Sequence, residues 1–230
     1  MATLPLGYQP GSCWRYSMSM DVQGAIIERL SGQSLPQIMR QHIFDPLGME
    51  DTSFFIAPRK RHRLVTLYLK MGDAPLTPIA NPLQPDSESE PRLAMGGSGL
   101  FSTAYDYARF AQMLLNGGEL DGEHIVSAQA VRAQMTNRLP NDLLETRFVA
   151  EHQKFRPGFG FGYNGVLFTD PELAGMPVCK GTYHWDGAAG TWFWVDSEND
   201  LLFVGMTQFL SYTALPLKAT SQMLMGEAID

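Results

Sequence analysis

Tyr16 and Ser17 stand side by side where a Pro10-Gly11 turn gives way to a segment with apolar residues at helical spacing. The N-terminus of a helix favours negative charge. An aromatic hydroxyl placed there is a candidate tyrosinate, able to take and return a proton. Position alone favours a plainer reading, an aromatic packed under a helix start. A second candidate is Ser98, in Gly96-Gly97-Ser98-Gly99-Leu100. This approaches the Gly-x-Ser-x-Gly elbow that presents a nucleophilic serine, but Leu100 stands where the last glycine is needed. Ser98 therefore reads as a turn residue. His184 and Asp186 lie two apart on an expected strand and so point the same way. With Ser98 they would complete a Ser-His-Asp set, which is defined by geometry and not by order. Ser98 already has its turn role, and His184 reads better as a structural or surface histidine. Trp185, between them, suits hairpin packing and a pocket wall equally well. Cys13 and Cys179 are too few for a disulfide framework, and no His or Cys spacing suits a metal. They read as buried thiols, and neither metal nor organic cofactor is implied.

The elements around these residues follow from local pattern. Val22, Ile26 and Leu30 recur at helical spacing, and Gly32 supplies a C-cap. Ser34 to Gln37 spells a capping box, and the helix it opens should run to about Phe44, ahead of Pro46. Thr103 to Asp106 is a variant capping box, with Asp as its acidic member. It opens a helix that presents Tyr107, Phe110, Ala111 and Leu114 on one face and ends at Asn116-Gly117. Asp121-Gly122 is a tight turn, and Ser127 caps a short helix through about Met135. Residues 57 to 95 are the least regular. The basic run 59–63 and the acidic run 86–90 read as solvated loop faces. Five prolines between Pro75 and Pro91 suggest an ordered loop or lid.

After Phe155 glycine alternates with aromatics through Gly165. This predicts a strand approached closely by another backbone. Thr191 to Val195 and Leu201 to Gln208 form a hairpin about the turn 196–200, and 216–228 reads as a closing helix. The expected fold is of α/β (α+β) type, with a mainly helical region with loops at 1–150. Antiparallel strands and a C-terminal helix at 151–230 complete the sheet domain. Three strands are visible, yet Thr191 to Val195 is apolar on both faces and belongs inside a wider sheet.

The 230 residues are 44% hydrophobic and 18% charged, enough for a sizeable core, and the net charge of -7 is dispersed. Nucleic-acid binding, which needs clustered Lys and Arg, is disfavoured. No apolar run approaches the roughly 20 residues that span a bilayer. A soluble protein is expected, cytoplasmic in preference to periplasmic, although any leader would lie ahead of this region. The thirteen methionines read as core filling.

Four segments, in order, resemble the C-terminal part of the beta-lactamase-related serine hydrolases, especially family VIII carboxylesterases. They are Pro10-Gly11 to Tyr16-Ser17; Phe44-Asp45-Pro46-Leu47-Gly48-Met49 with Asp51-Thr52; Gly96 to Thr103 with Asp106 to Phe110; and His184 to Thr191. The resemblance implies a beta-lactamase/transpeptidase-like fold and an acyl-enzyme mechanism. In that family a Ser-x-x-Lys serine is the nucleophile, a Tyr is the general base, and a Lys-Thr-Gly or Trp-Gly-Gly segment lies beside the oxyanion hole. Carried over, Tyr16 is the base and Ser17 its neighbour. Met18 replaces the Asn of beta-lactamases, which leans toward esters. Trp185-Asp186-Gly187 stands for Trp-Gly-Gly with Asp in place of the first Gly, and Ala188 N–H is an oxyanion donor. Lys180-Gly181-Thr182 has the right residue types in the wrong order and lies upstream of the matching segment.

None of the five lysines (60, 70, 154, 180, 218) has a serine three residues before it, so the sequence contains no Ser-x-x-Lys. The resemblance thus implies a truncated enzyme. It would act on a small-molecule ester or amide only when an N-terminal half, one that another chain could provide, supplies the nucleophile. The alternatives are a non-catalytic binding module of the same fold, or beta-lactamase, D-aminopeptidase or acyltransferase specificity.

Overall fold

The computed structural model describes residues 5, 7–12, 14–72, 74–80, 91–140, 143, 147–148, 153–154, 157–211 and 216–229. Cys13, the acidic run 86–90, and Pro82 and Pro85 of the proline-rich stretch lie outside them. The helices are α1 (Ser19–Ser31), α2 (Leu35–Met39), α3 (Ala104–Leu115), α4 (Ala128–Gln134), α5 (Pro171–Ala174) and α6 (Leu217–Glu227). The strands are β1 (Leu67–Lys70), β2 (Thr77–Ile79), β3 (Glu119–Leu120), β4 (Glu123–His124), β5 (Arg147–Phe148), β6 (Gln153–Lys154), β7 (Phe159–Phe161), β8 (Val166–Phe168), β9 (Tyr183–Gly187), β10 (Thr191–Asp196), β11 (Leu201–Met206) and β12 (Phe209–Ser211).

Local chemistry sets most helix ends. Gly32 closes α1 in the left-handed region at φ 71°. Gln37 Oε1 accepts from the Ser34 N–H at 3.1 Å, the return bond of the capping box. A π-helical segment, Arg40–Phe44, continues α2 to the expected limit. Thr103 Oγ1 accepts from the Asp106 N–H at 3.1 Å, and Ser127 Oγ from the Ala130 N–H at 3.2 Å. Asp121 and Gly122, at φ 53° and 86°, make the two-residue turn between β3 and β4.

The main sheet runs β11-β10-β9-β8-β7 and is antiparallel throughout. It has five strands where three were expected. The alternating Gly-aromatic stretch is two short arms, β7 and β8, and the His184 segment is β9 itself. The doubly apolar β10 accordingly sits between β9 and β11. Gly162, just past the first arm, does admit a close neighbour, since a Cβ there would overlap the Gln134 carbonyl oxygen. A second sheet, β12-β1-β2, occupies part of the region read as irregular. There β1 pairs parallel with β12 and antiparallel with β2. The basic run is a 3-10 helix, Pro58–Arg63, and not a free loop. Lys60 and Arg63 each reach Asp51 at 2.6 Å and hold its carboxyl below the usual carboxylate range.

Helices cover both faces of the main sheet. On one, Phe193, Val195 and Tyr183 pack with Ala111, Met113 and Leu114 of α3 and with Phe44, Leu47 and Met49. Each large apolar side chain buried there contributes about 1.5–3 kcal/mol. On the other face α6 lies across the sheet. Its Ser221 Oγ accepts from Trp192 Nε1 at 3.1 Å and Trp194 Nε1 at 3.4 Å.

A polar node joins the second and third family-like segments. Asp106 is buried, and its Oδ2 accepts from the Asp51 N–H and the Thr52 hydroxyl, both at 2.8 Å. A carboxylate only accepts, so Thr52 spends its hydrogen there, and the Ser102 hydroxyl, 2.8 Å from Thr52, donates in turn. The acidic member of the variant capping box thus turns away from its own cap to hold a distant segment. Arg109 Nε donates to the Leu47 carbonyl, and its Nη2 pairs with Asp121 at 2.6 Å.

Candidate active site

Tyr16 lies three residues ahead of α1, and Trp185 is central in β9. Their ring centroids are 5.5 Å apart, so two ends of the sequence meet. Phe161 of β7 touches both Trp185, at 5.8 Å, and Trp14, at 4.8 Å. Trp14, Phe161, Trp185 and Tyr16 therefore form one continuous aromatic wall. Tyr16 is 48% exposed, whereas Tyr107 and Tyr183 lie inside and burial pushes each of their hydroxyls up to about 12. A phenol at that value holds its proton at neutral pH. Tyr16 is the tyrosine of this wall with its ring at the surface. Ser17 follows it and is exposed.

Strand alternation separates the next two residues. Trp185 faces Tyr16, while the Asp186 carboxylate faces the opposite side and pairs with Lys218 of α6. Asp186 thus reaches this site through its backbone and not its side chain. Local sequence carried no signal for Lys218. The β9–β10 connection, residues 188–190, is a three-residue loop closed by Gly190 N–H to Gly187 O at 3.0 Å, with Gly190 at φ 77°. Its shape is fixed from below, where the Gly190 carbonyl accepts from Thr207 N–H at 2.9 Å and from Thr207 Oγ1 at 2.7 Å. Phe209 N–H donates to Ala189 O at 2.8 Å. Ala188 is exposed at the head of this loop and makes no backbone hydrogen bond among the described residues.

The triad arrangement does not form. His184 is buried against Phe159 and Phe168, with ring centroids at 6.3 and 5.2 Å, and neither ring nitrogen has a partner among the described residues. Burial first, and the Lys218 charge second, hold its pKa well below the ordinary histidine value. Ser98 Oγ contacts Met95 Sδ at 3.7 Å within its turn. The adjacent Gly97 N–H donates to Asp21 of α1 at 3.0 Å. Lys180-Gly181-Thr182 is the turn into β9, with Thr182 Oγ1 donating to Cys179 O at 2.8 Å.

The fold itself recurs in known proteins. The family model named Beta-lactamase matches residues 1–222. The chain belongs to the beta-lactamase family. Within this family, it is 36% identical over 212 residues to Protein Rv1367c of Mycobacterium tuberculosis, covering 90% of this chain and 52% of that protein. It is 32% identical over 207 residues to Esterase EstB of Burkholderia gladioli, covering 84% and 49%. It is 30% identical over 234 residues to Lovastatin esterase of Penicillium rubens, covering 90% and 53%. The chain spans about half the length of these curated relatives. Among solved structures, the LovD6 mutant of simvastatin synthase from Aspergillus terreus superimposes with a TM-score of 0.82 at 21% identity, over 98% of this chain and 57% of that one. EstCE1, a hydrolase with promiscuous acyltransferase activity, gives 0.75 at 22% identity, over 95% and 57%. These matches assign the beta-lactamase/transpeptidase-like fold. No helix among the described residues is long and apolar enough to cross a membrane.

Proposed function

We propose that this chain carries the proton-transfer and oxyanion side of a carboxylesterase-type site of the beta-lactamase family, acting on small esters. The observation that carries the reading is the apposition of Tyr16 and Trp185 at 5.5 Å, beside the Gly187-Ala188 loop. In this reading Tyr16 takes the proton of a serine hydroxyl as that oxygen attacks the ester carbonyl. It then returns the proton to the departing alcohol. The Ala188 N–H points to the tetrahedral oxyanion, preorganised by the hydrogen bonds beneath its loop. Trp185 and Phe161 wall the substrate, Ser17 flanks the base, and Gly187 keeps the strand end narrow beside Thr191. The acyl-enzyme is then hydrolysed by water through the same steps. The nucleophile lies on the half of the fold that this chain does not span.

Hydrolysis of p-nitrophenyl butyrate tests this. The chain alone should give no turnover. Co-expression with an N-terminal half bearing Ser-x-x-Lys should restore it, and Tyr16→Phe should then lower kcat by about 10²–10⁴. Turnover by the chain alone that survives Tyr16→Phe would overturn the assignment.

A further inference from the structure

Asp186 is where this chain departs from the Trp-Gly-Gly spelling. In the pleat of β9 its side chain leaves on the face away from Tyr16, where its cross-strand neighbour is Trp192 of β10. The first turn of α6 lies over that face. Lys218 Nζ pairs there with Asp186 Oδ2. Within the same turn Ser221 Oγ donates to the Lys218 carbonyl at 2.8 Å and accepts from the indole N–H groups of Trp192 and Trp194. The Trp192 ring in turn lies over Gly205 of β11, where a Cβ would overlap it. The start of α6 is thus fastened to β10 by neutral hydrogen bonds and to β9 by an ion pair.

One residue separates Asp186 from Ala188, so a shift of the backbone at Asp186 passes directly to the Ala188 N–H. The far end of the 188–190 loop is held by Thr207 and Phe209. At the near end Gly187 is the last rung of the ladder, paired with Thr191. The tie from behind that end is the bond from Asp186 to α6. We propose that Asp186 is a positioning residue: paired with Lys218, it anchors the end of β9 to α6 and so aims the Ala188 N–H. This rests on the reading of Ala188 as the oxyanion donor. An ion pair as exposed as this one adds little to global stability. Its effect lies in placement, to which a donor that serves the transition state is sensitive.

Two measurements test this: p-nitrophenyl butyrate kinetics of the chain co-expressed with the Ser-x-x-Lys half, and amide hydrogen exchange on the full chain by itself. Asp186→Asn and Lys218→Met should each lower kcat about tenfold, short of the roughly 10²–10³ that loss of an oxyanion donor costs. KM should not change, because the donor engages the transition state and not the bound ester. The double variant should be no slower than either single one. Lys218→Arg, which keeps the cation, should retain most of the activity. Asp186→Gly should lose activity although it restores the family spelling, while Lys180→Met, on the exposed turn ahead of β9, should lose none. In the chain alone, the Gly190 and Phe209 amides, which close and support the loop, should exchange about fivefold faster in Asp186→Asn and in Lys218→Met, and the amides of α3 should keep their rates. Full activity in Asp186→Asn or Asp186→Gly, additive losses, a Lys218→Arg variant as slow as Lys218→Met, or unchanged exchange at Gly190 and Phe209 would each overturn the proposal. An unsubstituted assembly that cleaves no ester rejects the esterase reading instead, and the exchange rates alone then decide whether the pair holds the loop.

Discussion

Replacing Asp106 by alanine tests the polar node that ties α3 to the segment at Asp51-Thr52. Asp106 is only 4% exposed, and one of its oxygens accepts two hydrogen bonds of 2.8 Å. Hydrogen bonds to a charged group contribute about 1.5–3 kcal/mol each, and their loss also leaves the Asp51 N–H and Thr52 hydroxyl without an acceptor. Asp106→Ala should therefore destabilise by roughly 3–5 kcal/mol, a large part of the roughly 5–15 kcal/mol that holds a domain folded. Asp106→Asn keeps an acceptor oxygen and loses only the charge, for about 1–2 kcal/mol. Urea titrations read by far-UV and near-UV circular dichroism measure both, provided the two transitions coincide. In a double-mutant cycle with Thr52→Val the two positions should couple by at least about 1 kcal/mol. A cost below about 1 kcal/mol for Asp106→Ala, or strict additivity with Thr52→Val, would refute the node.

Two further outcomes follow from packing and burial. The folded pKa of His184 lies below its ordinary 6.5, so below pH 6.5 the unfolded chain binds a proton that the folded chain refuses. Stability from this group is complete above pH 6.5 and falls as the pH drops, by up to about 1.4 kcal/mol per unit. His184→Phe should flatten that slope and raise stability at pH 7 by about 1 kcal/mol, because both unpartnered nitrogens are removed. An unchanged slope in pH-dependent urea titrations would count against it. At the α1 contact, Gly96→Ala places a Cβ into the Met20 carbonyl oxygen, whereas at Gly97 the nearest atoms are 3.5 Å away. Gly96→Ala should lower stability by about 3 kcal/mol and Gly97→Ala by less than about 0.5 kcal/mol. Equal costs in thermal melts would show that α1 does not sit on this turn.

What was legible in the sequence was local. Ser34 with Gln37, Thr103 with the Asp106 amide, and Gly32 all act within one turn of their own position, so residue type and spacing suffice. The strands β1, β2 and β12 were not legible. They are three or four residues long, and β1 finds its parallel partner only at Phe209–Ser211, far along the chain. Pro78 further disguised β2, although proline suits a short edge strand. The arms β7 and β8 read as one alternation because the glycine-aromatic pattern runs on through their turn, although the Asn164-Gly165 pair there, with Asn164 at φ 63°, is a hairpin signal. At the site, Tyr16 and Trp185 stand out in the sequence only through the family resemblance, and the fold sets their rings 5.5 Å apart. The outward side of Asp186 and its pairing with Lys218 required the pleat of β9 and the path of α6. The amphipathic pattern of α1 was visible at once, but periodicity defines a face and not what covers it.

The placement of the four tryptophans has a practical consequence. Trp14 and Trp185 lie in the wall with Tyr16, while Trp192 and Trp194 stack about Phe203 on the opposite face, beneath α6. Both of the latter donate to the single Ser221 hydroxyl. The molecule therefore carries two intrinsic fluorophore pairs separated by the thickness of a β-sheet. Emission from one pair reports occupancy of the aromatic wall. Emission from the other reports whether the last helix is seated, and variants that keep one pair, with phenylalanine at the two positions of the other, time the two events separately without any added label.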